Sequence, residues 1–516
     1  MPSRRKPITL LIALAAVACS HRTRRTPDDT LVMLMEAPAT TTDPRNTLSN
    51  YDTKLAHLIA SGLTTVDNAT MAPELLLAEK IDRVDDLTYD VTLKPGLLFS
   101  DGNPVTAADV AWTYQSVLDD PKAVSYHQLT ERFTKIEATG ARTTRFHMVA
   151  PLATFQTDLD FGIVERAAAT KGGRFPNGIA IGCGPYVLDR LDDTGAWFHA
   201  NPRWPFAPPK IAKLEIKVVR DASARILMLV GGSADLAQNS ARLDLVDDIA
   251  QQWRVHVESG PSALLTYLMM NNDDPILKDV RVRQAIALAL DRDAIIKQKL
   301  GGHAVLATGL LPPGHWAYEP NVPHWRRDLP RAKQLLEEAG YHDPDGDGPE
   351  PRFTLTYKTS SDSYRVALAN VIAAQLREAG IAVEVSPFEF ATFFKQVKQG
   401  AYQLASMQTS DITEPDYFYT YFNSVRIPGK KNPDDGNRWR YRNPRVDALT
   451  ELGRRQLDRG ARRTTYSEVQ RILATELPVI PLWHEDNIVV ENRTVTGYSL
   501  LPNARYTGVV TTTKSE

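Results

Sequence analysis

The alternation of strands and helices in the second half of the chain constrains its fold most strongly. FTLTYKTS (353–360) has the composition of a strand, YRVALANVIAAQLREAG (364–380) has helical periodicity, and IAVEVS (381–386) is again typical of a strand. Strands joined through a helix of this length pair in parallel, with a right-handed crossover. A similar order of strand, helix and strand occurs over 211–259. The chain is therefore predicted to be an α/β protein.

Shorter, locally paired strands are predicted in the first part of the chain. TYDVTLKPGLLFSDG (88–102) alternates around a Pro-Gly pair, and FTKIEATGARTTRFHMVAP (133–151) alternates around Gly140. Both patterns predict antiparallel hairpins. Between them, Thr106 followed by Asp109 predicts a capping box at the start of a helix. The polar stretch around these two residues is thus predicted to build the fold and not to carry chemistry.

The N-terminus has the composition of a secretion signal. Basic residues precede an apolar run over 8–18, and Cys19 follows directly. A basic region followed by about 7–15 apolar residues is typical of a signal peptide and is too short to span a membrane. We therefore predict a signal peptide over 1–18 and a tether over 19–30. The Ala-Val-Ala before Cys19 resembles a bacterial lipobox, so Cys19 is predicted to be lipidated, with plain secretion as the alternative.

Length and charge limit the classes of function. A chain of 516 residues exceeds one hydrophobic core, which predicts two or three domains. The net charge is −2, and loss of residues 1–18 with their three basic side chains leaves −5. A nucleic-acid partner is therefore not expected. If Cys19 carries lipid, Cys183 has no cysteine to pair with, and no disulfide framework is expected.

Common catalytic and metal-binding motifs are incomplete. GGSAD (231–235) lacks the second glycine of a nucleophile elbow, and the histidines do not take metal-ligand spacing. DPDGDG (343–348) matches the start of a calcium loop, but Thr354 stands where its last carboxylate belongs, which favours a surface turn over a calcium site. His484 and Glu485 are adjacent and therefore do not share a face of a strand. We predict a binding protein and not an enzyme, with no metal and no cofactor.

Two segments, FSDGNPVTAADVAWTY (99–114) and GCGPYVLDRL (182–191), have the order and composition of family motifs. The first resembles the signature of the extracellular solute-binding proteins of family 5, which serve peptide and nickel ABC importers. The second resembles the Gly-Thr-Gly-Pro-Tyr segment of that family, with Cys183 in place of threonine. The similarity runs from about residue 30 to about residue 500. The other matching segments are TTTDPRNT, MAPELLLAEKIDRVDDLTYDVTLKPGLLF, LMMNNDDPILKDVRVRQAIALALDRDAII, RWRYRNPRVDALT and LPVIPLWHEDNIVV.

The resemblance implies two hinged α/β lobes around a central cleft. This is a type II-like periplasmic-binding-protein fold with an extra N-terminal subdomain. Lobe I is expected over 28–48, 180–258 and 485–516, with the added subdomain over 49–178. Lobe II is expected over 260–483. In such proteins the lobes close around a ligand, and the closed form is presented to a membrane permease.

The resemblance also implies where a ligand would be anchored. In peptide-binding members an aspartate, followed by an acid and a proline, receives the peptide α-ammonium group. Asp411, with Glu414 and Pro415 after it, matches this pattern. A carboxylate suits this task because a buried ammonium without a counter-charge is very costly. A simple loop cap is the alternative role for Asp411.

Other expected ligand contacts depart from the pattern of peptide binders. Those proteins usually carry a tryptophan three residues before the aspartate, and Gln408 stands there in this chain. The aromatic contact with the ligand is then lost or supplied from another position. Arg438 and Arg440, in a basic loop, are candidates to bind a peptide carboxylate bidentately. A solvated loop is the alternative for these two arginines. The expected aromatic contacts are Tyr417, Phe418 and Trp439.

Together these features lead to one hypothesis of function with two alternatives. The chain is predicted to be an exported substrate-binding protein or lipoprotein of an ABC importer. It would capture a peptide or peptide-like solute by hinge closure, as a monomer in the periplasm or cell envelope, and deliver it to an inner-membrane permease. The alternatives are an exported hydrolase and a solute receptor that signals to a membrane sensor.

Overall fold

The computed structural model describes residues 26–346, 348–409, 412–433 and 435–515, and at residues 126 and 127 the backbone alone. The predicted signal peptide, Cys19 and Asp411 lie outside these ranges. The strands, in chain order, are β1 (Thr30–Met35), β2 (Thr64–Val66), β3 (Pro73–Leu75), β4 (Ala78–Arg83), β5 (Thr88–Leu93), β6 (Phe133–Ala138), β7 (Thr143–Met148), β8 (Tyr186–Asp192), β9 (Gly195–Ala200), β10 (Lys213–Val218), β11 (Leu236–Gln238), β12 (Val255–Gly260), β13 (Leu265–Met270), β14 (Ala304–Leu306), β15 (Phe353–Ser360), β16 (Ile381–Phe388), β17 (Leu404–Thr409), β18 (Val479–Glu485), β19 (Asn487–Asn492), β20 (Val495–Thr496) and β21 (Thr513–Lys514).

The helices lie between these strands and are mostly short. They are α1 (Asn50–Ile59), α2 (Ala107–Leu118), α3 (Tyr126–Thr130), α4 (Phe155–Asp158), α5 (Ala222–Gly231), α6 (Val246–Ala250), α7 (Val280–Ala289), α8 (Arg292–Lys299), α9 (Leu329–Glu338), α10 (Ser363–Arg377), α11 (Phe390–Lys398), α12 (Tyr417–Phe422), α13 (Pro444–Gly453) and α14 (Arg459–Glu476). Single 3₁₀ turns occur at Pro44–Asn46, Arg166–Ala168, Pro176–Gly178, Leu243–Leu245 and Ser424–Arg426, and a longer one at Tyr506–Thr511. Within the described ranges, no helix is both long and apolar enough to cross a membrane.

The first large sheet has seven strands in the order β12-β19-β11-β1-β10-β9-β8. Its central strand β1 pairs in parallel with β10 and with β11. The strand is buried on both faces, because Leu31 and Met33 pack into one hydrophobic core while Val32 and Leu34 pack into another. Burial on both faces is the usual state of parallel strands that carry a nearly continuous apolar sequence.

The second large sheet has six strands in the order β14-β18-β13-β17-β15-β16. The predicted strand–helix–strand unit is confirmed here: β15 and β16 pair in parallel from Phe353 opposite Ile381 onwards, and α10 connects them. Asp362 caps α10 by accepting a bond from the Arg365 amide, and Gly380 after the helix has a φ of 82°. Only glycine adopts such a left-handed φ without a steric penalty.

The chain passes from one large sheet to the other at two neighbouring places. It leaves β12 and enters β13 through residues 261–264, and it returns from β18 to β19 through the single residue Asp486. In their sheets, β12 pairs with β19 and β13 pairs with β18. The two crossings therefore lie side by side, which is the arrangement that a two-segment hinge requires.

A separate four-stranded antiparallel sheet, β4-β5-β7-β6, is formed within residues 78–148. The predicted hairpin around Gly140 is confirmed as β6 and β7. The predicted hairpin over 88–102 is wrong, because β5 pairs with β4 on one side and β7 on the other. Both edges of β5 are thus occupied, and the residues after the Pro-Gly turn contribute only an isolated bridge from Leu98 to Pro104.

The predicted capping box before α2 is confirmed. Thr106 Oγ1 accepts a bond from the Asp109 amide, and the Asp109 carboxylate accepts one from the Thr106 amide at 3.0 Å. The buried residues Val110, Tyr114 and Val117 of α2 then pack into the core beneath the four-stranded sheet. The stretch around Thr106 therefore has the structural role that its sequence predicts.

A buried carboxyl group in β19 makes the stability of the seven-stranded sheet depend on pH. Glu491 is 5% exposed, its Oε2 has no hydrogen-bond partner among the described residues, and burial raises its pKa to about 7. Since the pKa in the unfolded chain is about 4.5, the folded protein holds a proton that the unfolded chain releases between these values. This group therefore contributes stability below about pH 4.5 that is lost as the pH rises to about 7.

Glu491→Gln is accordingly expected to stabilise the protein at pH 8 by about 2 kcal/mol and to change little at pH 5. The amide is neutral at every pH, so the cost of burying a carboxylate disappears. Urea unfolding of both proteins at the two pH values measures the difference. A gain of the same size at pH 5 and pH 8 would contradict the assigned cause.

Candidate functional site

A cavity of about 880 Å³ lies between the two large sheets and the part of the chain that carries the four-stranded sheet. Its lining residues come from α1, from residues 128–161, from the ends of β17 and β18, and from the segment 502–505. Both crossings between the sheets contribute as well, through Ser262, Leu264 and Asp486. A cavity of this size suits a ligand of several hundred daltons, because small-molecule pockets span roughly 300–1,000 Å³.

Polar contacts join the segment 49–178 to the segment 260–483 beside this cavity. Arg132 donates to Asp416 at 3.1 Å, and Thr157 Oγ1 donates to Glu414 at 2.9 Å. A third contact joins Arg426 to Glu131 at 3.1 Å. The structure therefore has these two parts of the chain in contact across the site.

The cavity wall is rich in carboxylates. Eight acidic side chains and four Lys or Arg side chains line it, which gives a formal excess of four negative charges among the described residues. His57 adds no positive charge near neutral pH, because burial holds its pKa well below the usual value. The acidic residues are Glu36, Glu131, Asp158, Asp160, Glu414, Asp416, Glu485 and Asp486, and the basic ones are Lys54, Arg132, Arg426 and Arg505.

The lining cations are already engaged by the protein. Arg132 lies between Asp158 and Asp416, and Arg505 pairs with Asp160. Arg426 pairs with Glu131 and with Asp435, and Lys54 lies 4.8 Å from the ring centre of Tyr506. Burial raises the pKa of Asp158 to about 6 despite Arg132, with neighbouring carboxylates adding to the shift. A negative field of this kind attracts cationic groups and repels anionic ones.

Gln408 lines the cavity at the end of β17, as its predicted role requires. Its amide nitrogen donates to Glu485 Oε1 at 2.5 Å and to Thr266 Oγ1 at 2.9 Å. Its amide oxygen accepts a bond from Arg365 at 2.5 Å. The orientation of the amide follows from its neighbours, since the carboxylate needs a donor and the guanidinium needs an acceptor.

The three predicted aromatic contacts separate into two groups. Tyr417 lines the cavity, and its ring stacks on Tyr421 with 5.7 Å between the ring centres. Phe418 and Trp439 are 1% and 3% exposed and pack in the core beneath the six-stranded sheet. They line a second, much smaller cavity of about 30 Å³. The structure therefore places these two side chains in the core and not on the wall of the large cavity, contrary to the predicted ligand contacts.

Arg438 and Arg440 are not among the residues that line the large cavity. The Arg438 guanidinium lies 4.9 Å from the ring centre of Phe394 in α11. Arg440 donates to the carbonyl oxygen of Gln399 at 3.1 Å and lies 3.9 Å from Asp273. The prediction that these arginines bind a ligand carboxylate is thus not supported by their positions, because both hold the loop against α11 and its C-terminal end.

Asp411 lies outside the described residues, and its predicted role stays a prediction. Its neighbours in the chain border the cavity on both sides, since Gln408 and Thr413 are lining residues. Glu414, the acid of the predicted pattern, is 7% exposed and accepts bonds from Arg462 and Thr157. The carboxylate of Glu414 is therefore already bonded within the protein.

Other lining residues were not singled out from the sequence. Arg132, Asp158 and Asp416 meet in space although up to 284 residues separate them, and no local pattern indicates such a meeting.

His484 and Glu485 have different environments, because adjacent residues of a strand point to opposite faces. His484 is 3% exposed, with a pKa lowered to about 4 by burial, whereas Glu485 lines the cavity. In the described ranges, no group of three or more His, Cys, Asp or Glu side chains is placed to hold a metal ion.

Two α/β lobes that are joined by adjacent crossings and enclose a polar cavity define a two-lobed binding protein. Comparison with known proteins gives the family: the sequence profile of the bacterial extracellular solute-binding proteins, family 5 Middle, matches residues 72–429. The chain belongs to this family of extracellular solute-binding proteins.

Individual relatives cover almost the whole chain. The probable di/tripeptide-binding protein 5 of Pseudomonas aeruginosa (strain UCBPP-PA14) is 27% identical over 97% of this chain and 96% of its own. The oligopeptide-binding protein AppA of Bacillus subtilis, solved with a nonapeptide, is 25% identical, with a TM-score of 0.76 over 94% of this chain and 99% of that one. NikA of Brucella suis, solved with Fe(III)-EDTA, has a TM-score of 0.85 over 95% of this chain and 100% of its own at 20% identity, which shows a shared fold alone.

Proposed function

We propose that this protein captures peptides with a free α-ammonium group in the large cavity and delivers them to the permease of an ABC importer. The observation that carries the proposal is the cavity itself, which is lined by both large sheets and has four excess negative charges among the described residues. The names of the similar Pseudomonas and Bacillus proteins, which bind di- and tripeptides or oligopeptides, support the same ligand class.

Asp411 is proposed to bind the α-ammonium group. In the sequence Asp411 stands between Gln408 and Thr413, and both of these residues line the cavity. The lining arginines are occupied by carboxylates, and the field of the cavity favours the positively charged end of a peptide. A carboxylate near this wall is the group that such an end requires.

Delivery is proposed to depend on the closure of two lobes. Lobe I would comprise 28–48, 180–258 and 485–516, with 49–178 as the added subdomain, and lobe II would comprise 260–483. The strands of the seven-stranded sheet lie in the lobe I ranges except for the last two residues of β12, and those of the six-stranded sheet lie in the lobe II range except for the last two residues of β18. The ligand biases the open–closed equilibrium by its better fit to the closed form, which the permease then recognises.

Thermal unfolding in the presence of peptides tests this function. At a peptide concentration of 100 times Kd, binding to the folded state alone adds about 2.7 kcal/mol of stability and raises the melting temperature. Di-, tri- and pentapeptides of alanine serve as probes, and their N-acetylated forms serve as controls that we expect to be without effect. Native mass spectrometry of the same mixtures reports whether the bound peptide is intact. Absence of any shift would refute peptide capture, and cleaved peptide would indicate a hydrolase.

We further propose that Cys19 is the lipidated N-terminus of the exported protein, which acts as a monomer held at a membrane in the periplasm or cell envelope. The support is the sequence pattern of a basic region, an apolar run and Ala-Val-Ala before Cys19. Cys19→Ser is expected to move the protein from the membrane fraction to the soluble fraction of the envelope. A wild-type protein that is already soluble, with an unmodified mass, would contradict lipidation.

A further inference from the structure

The Glu485 carboxylate is held firmly at one oxygen and open at the other. Its Oε1 accepts bonds from Gln408 Nε2 at 2.5 Å, from Thr266 Oγ1 at 2.9 Å and from Trp483 Nε1 at 3.2 Å. Its Oε2 makes no hydrogen bond or ion pair with the described residues, and Glu485 lines the large cavity. The protein thus fixes the orientation of this carboxylate through Oε1, and Oε2 remains available to accept hydrogen bonds from a ligand in the cavity.

The register of three strands produces this arrangement. In the antiparallel pairs of the six-stranded sheet, Thr266 of β13 lies opposite Gln408 of β17 and opposite Trp483 of β18. Glu485 is two residues beyond Trp483 and therefore points to the same face of β18. Three donors from three adjacent strands converge on one oxygen, so the position of the carboxylate is fixed before any ligand arrives.

No cation of the described chain neutralises this carboxylate directly. The guanidinium of Arg365 lies on the far side of Gln408 and donates to the amide oxygen, so the amide separates the two charges. Two other acids that line the cavity already have partners, since Asp486 accepts a bond from Ser259 and Glu36 lies 3.6 Å from Arg225. An oriented carboxylate without a cation is costly to enclose, and a ligand that supplies the cation removes this cost.

We propose that Glu485 sets the specificity of the cavity by pairing with a second cation of the ligand, a lysine or arginine side chain, in addition to the α-ammonium group. The inference rests on the proposed capture of peptides in this cavity. Peptides with a basic side chain should therefore bind more tightly than neutral peptides, which the cavity still accepts through the α-ammonium group. The preorganised oxygen suits a guanidinium particularly well, because that group presents several donors in a fixed plane.

Calorimetric titration with matched peptides tests the proposal. The probes are the three tripeptides with two alanines and one arginine, with arginine first, second or third, and the same peptides with citrulline, which has nearly the same shape and no charge. At one position or more, arginine should bind about 10-fold to 150-fold more tightly than citrulline, the range that hydrogen bonds to charged groups give. This comparison needs only the wild-type protein.

Glu485→Gln keeps an acceptor oxygen for the three donors and removes the charge. In this variant the arginine peptides should bind at most about two-fold more tightly than the citrulline peptides. Glu468→Gln is the matched control, since Glu468 is a partly exposed residue that pairs with Arg445 outside the cavity, and it should retain the wild-type preference. Melting temperatures of both variants show whether they are folded.

The possible results separate the inference from the function on which it rests. Equal binding of arginine and citrulline peptides by the wild type would overturn the role of Glu485 and leave peptide capture standing. A wild-type preference that persists in a folded Glu485→Gln protein would also overturn it, because another group would then bind the cation. Failure of all six peptides to bind would instead refute peptide capture itself.

Discussion

Asp411→Asn should weaken the binding of a peptide with a free α-ammonium group by about 2–5 kcal/mol. This corresponds to roughly thirty-fold to several-thousand-fold in Kd. The substitution nearly preserves the shape of the side chain and removes its charge. The loss therefore reports the penalty of enclosing an ammonium group without its counter-charge, and most of it should be visible as faster dissociation.

A double-mutant cycle assigns this loss to the ammonium group. Acetylation of the peptide amine should weaken binding to the wild type by a similar amount and cost little more in Asp411→Asn, because the two changes remove the same interaction. Calorimetry on the four combinations gives the coupling energy. Asp248→Asn serves as a control, since it removes the same charge from an exposed position in α6.

Additive losses in this cycle would show that Asp411 does not meet the amine. The peptide hypothesis would then need another anchor, and the preorganised carboxylate of Glu485 is the alternative that the cavity offers. The same cycle with Glu485→Gln distinguishes the two positions. Coupling of the amine to Glu485 would reassign the α-ammonium site and remove the proposed role of Glu485 in side-chain selection.

Local structure was largely predictable from the sequence. The unit β15-α10-β16 and the capping box at Thr106 depend on residues close together in the chain, and both are confirmed. The prediction of a hairpin around the Pro-Gly turn is wrong for a reason that lies outside residues 88–102. The partner of β5 on its second edge is β7, about fifty residues later, and a local pattern does not show which distant strand takes an open edge.

The lining of the site was less predictable, and α12 shows why. Tyr417 and Thr420 of this helix line the large cavity, whereas Phe418 and Phe422 face the core with Trp439. The helical period of 3.6 residues places these side chains on different faces, and a prediction without an assigned helix cannot separate them. The carboxylates of the cavity escaped notice because acidic residues on a sequence are most often solvated, and only the fold reveals which of them share one enclosed space.

Lys514→Met should lower the free energy of unfolding by about 3–5 kcal/mol, the usual cost of removing one partner of a buried ion pair. The side chains of Lys514 and Asp235 are 1% and 0% exposed, and Lys514 Nζ lies 2.8 Å from the Asp235 carboxylate. The ammonium also donates to the carbonyl oxygens of Pro27 and Thr30, at 2.8 and 2.5 Å. One lysine near the C-terminus thus holds the chain that enters the central strand β1.

The loss should come mainly from the carboxylate that remains. Asp235 also accepts a bond from the amide of Val32 in β1 at 2.7 Å, so it cannot turn toward solvent without breaking the start of the sheet. Asp235→Asn combined with Lys514→Met should therefore recover part of the loss, because no unpaired charge is left in the core. Scanning calorimetry of the single and double variants at pH 7 measures both effects.

Lys213→Met is the matched control for this prediction. Lys213 also pairs with an aspartate beside β1, with Nζ 2.8 Å from Asp29, but the two side chains are 61% and 53% exposed. Water solvates both charges in that pair, so its removal should leave the melting temperature nearly unchanged. Equal losses from Lys213→Met and Lys514→Met would show that burial does not set the strength of these pairs. The assigned role of Lys514 in fastening β1 would then be wrong.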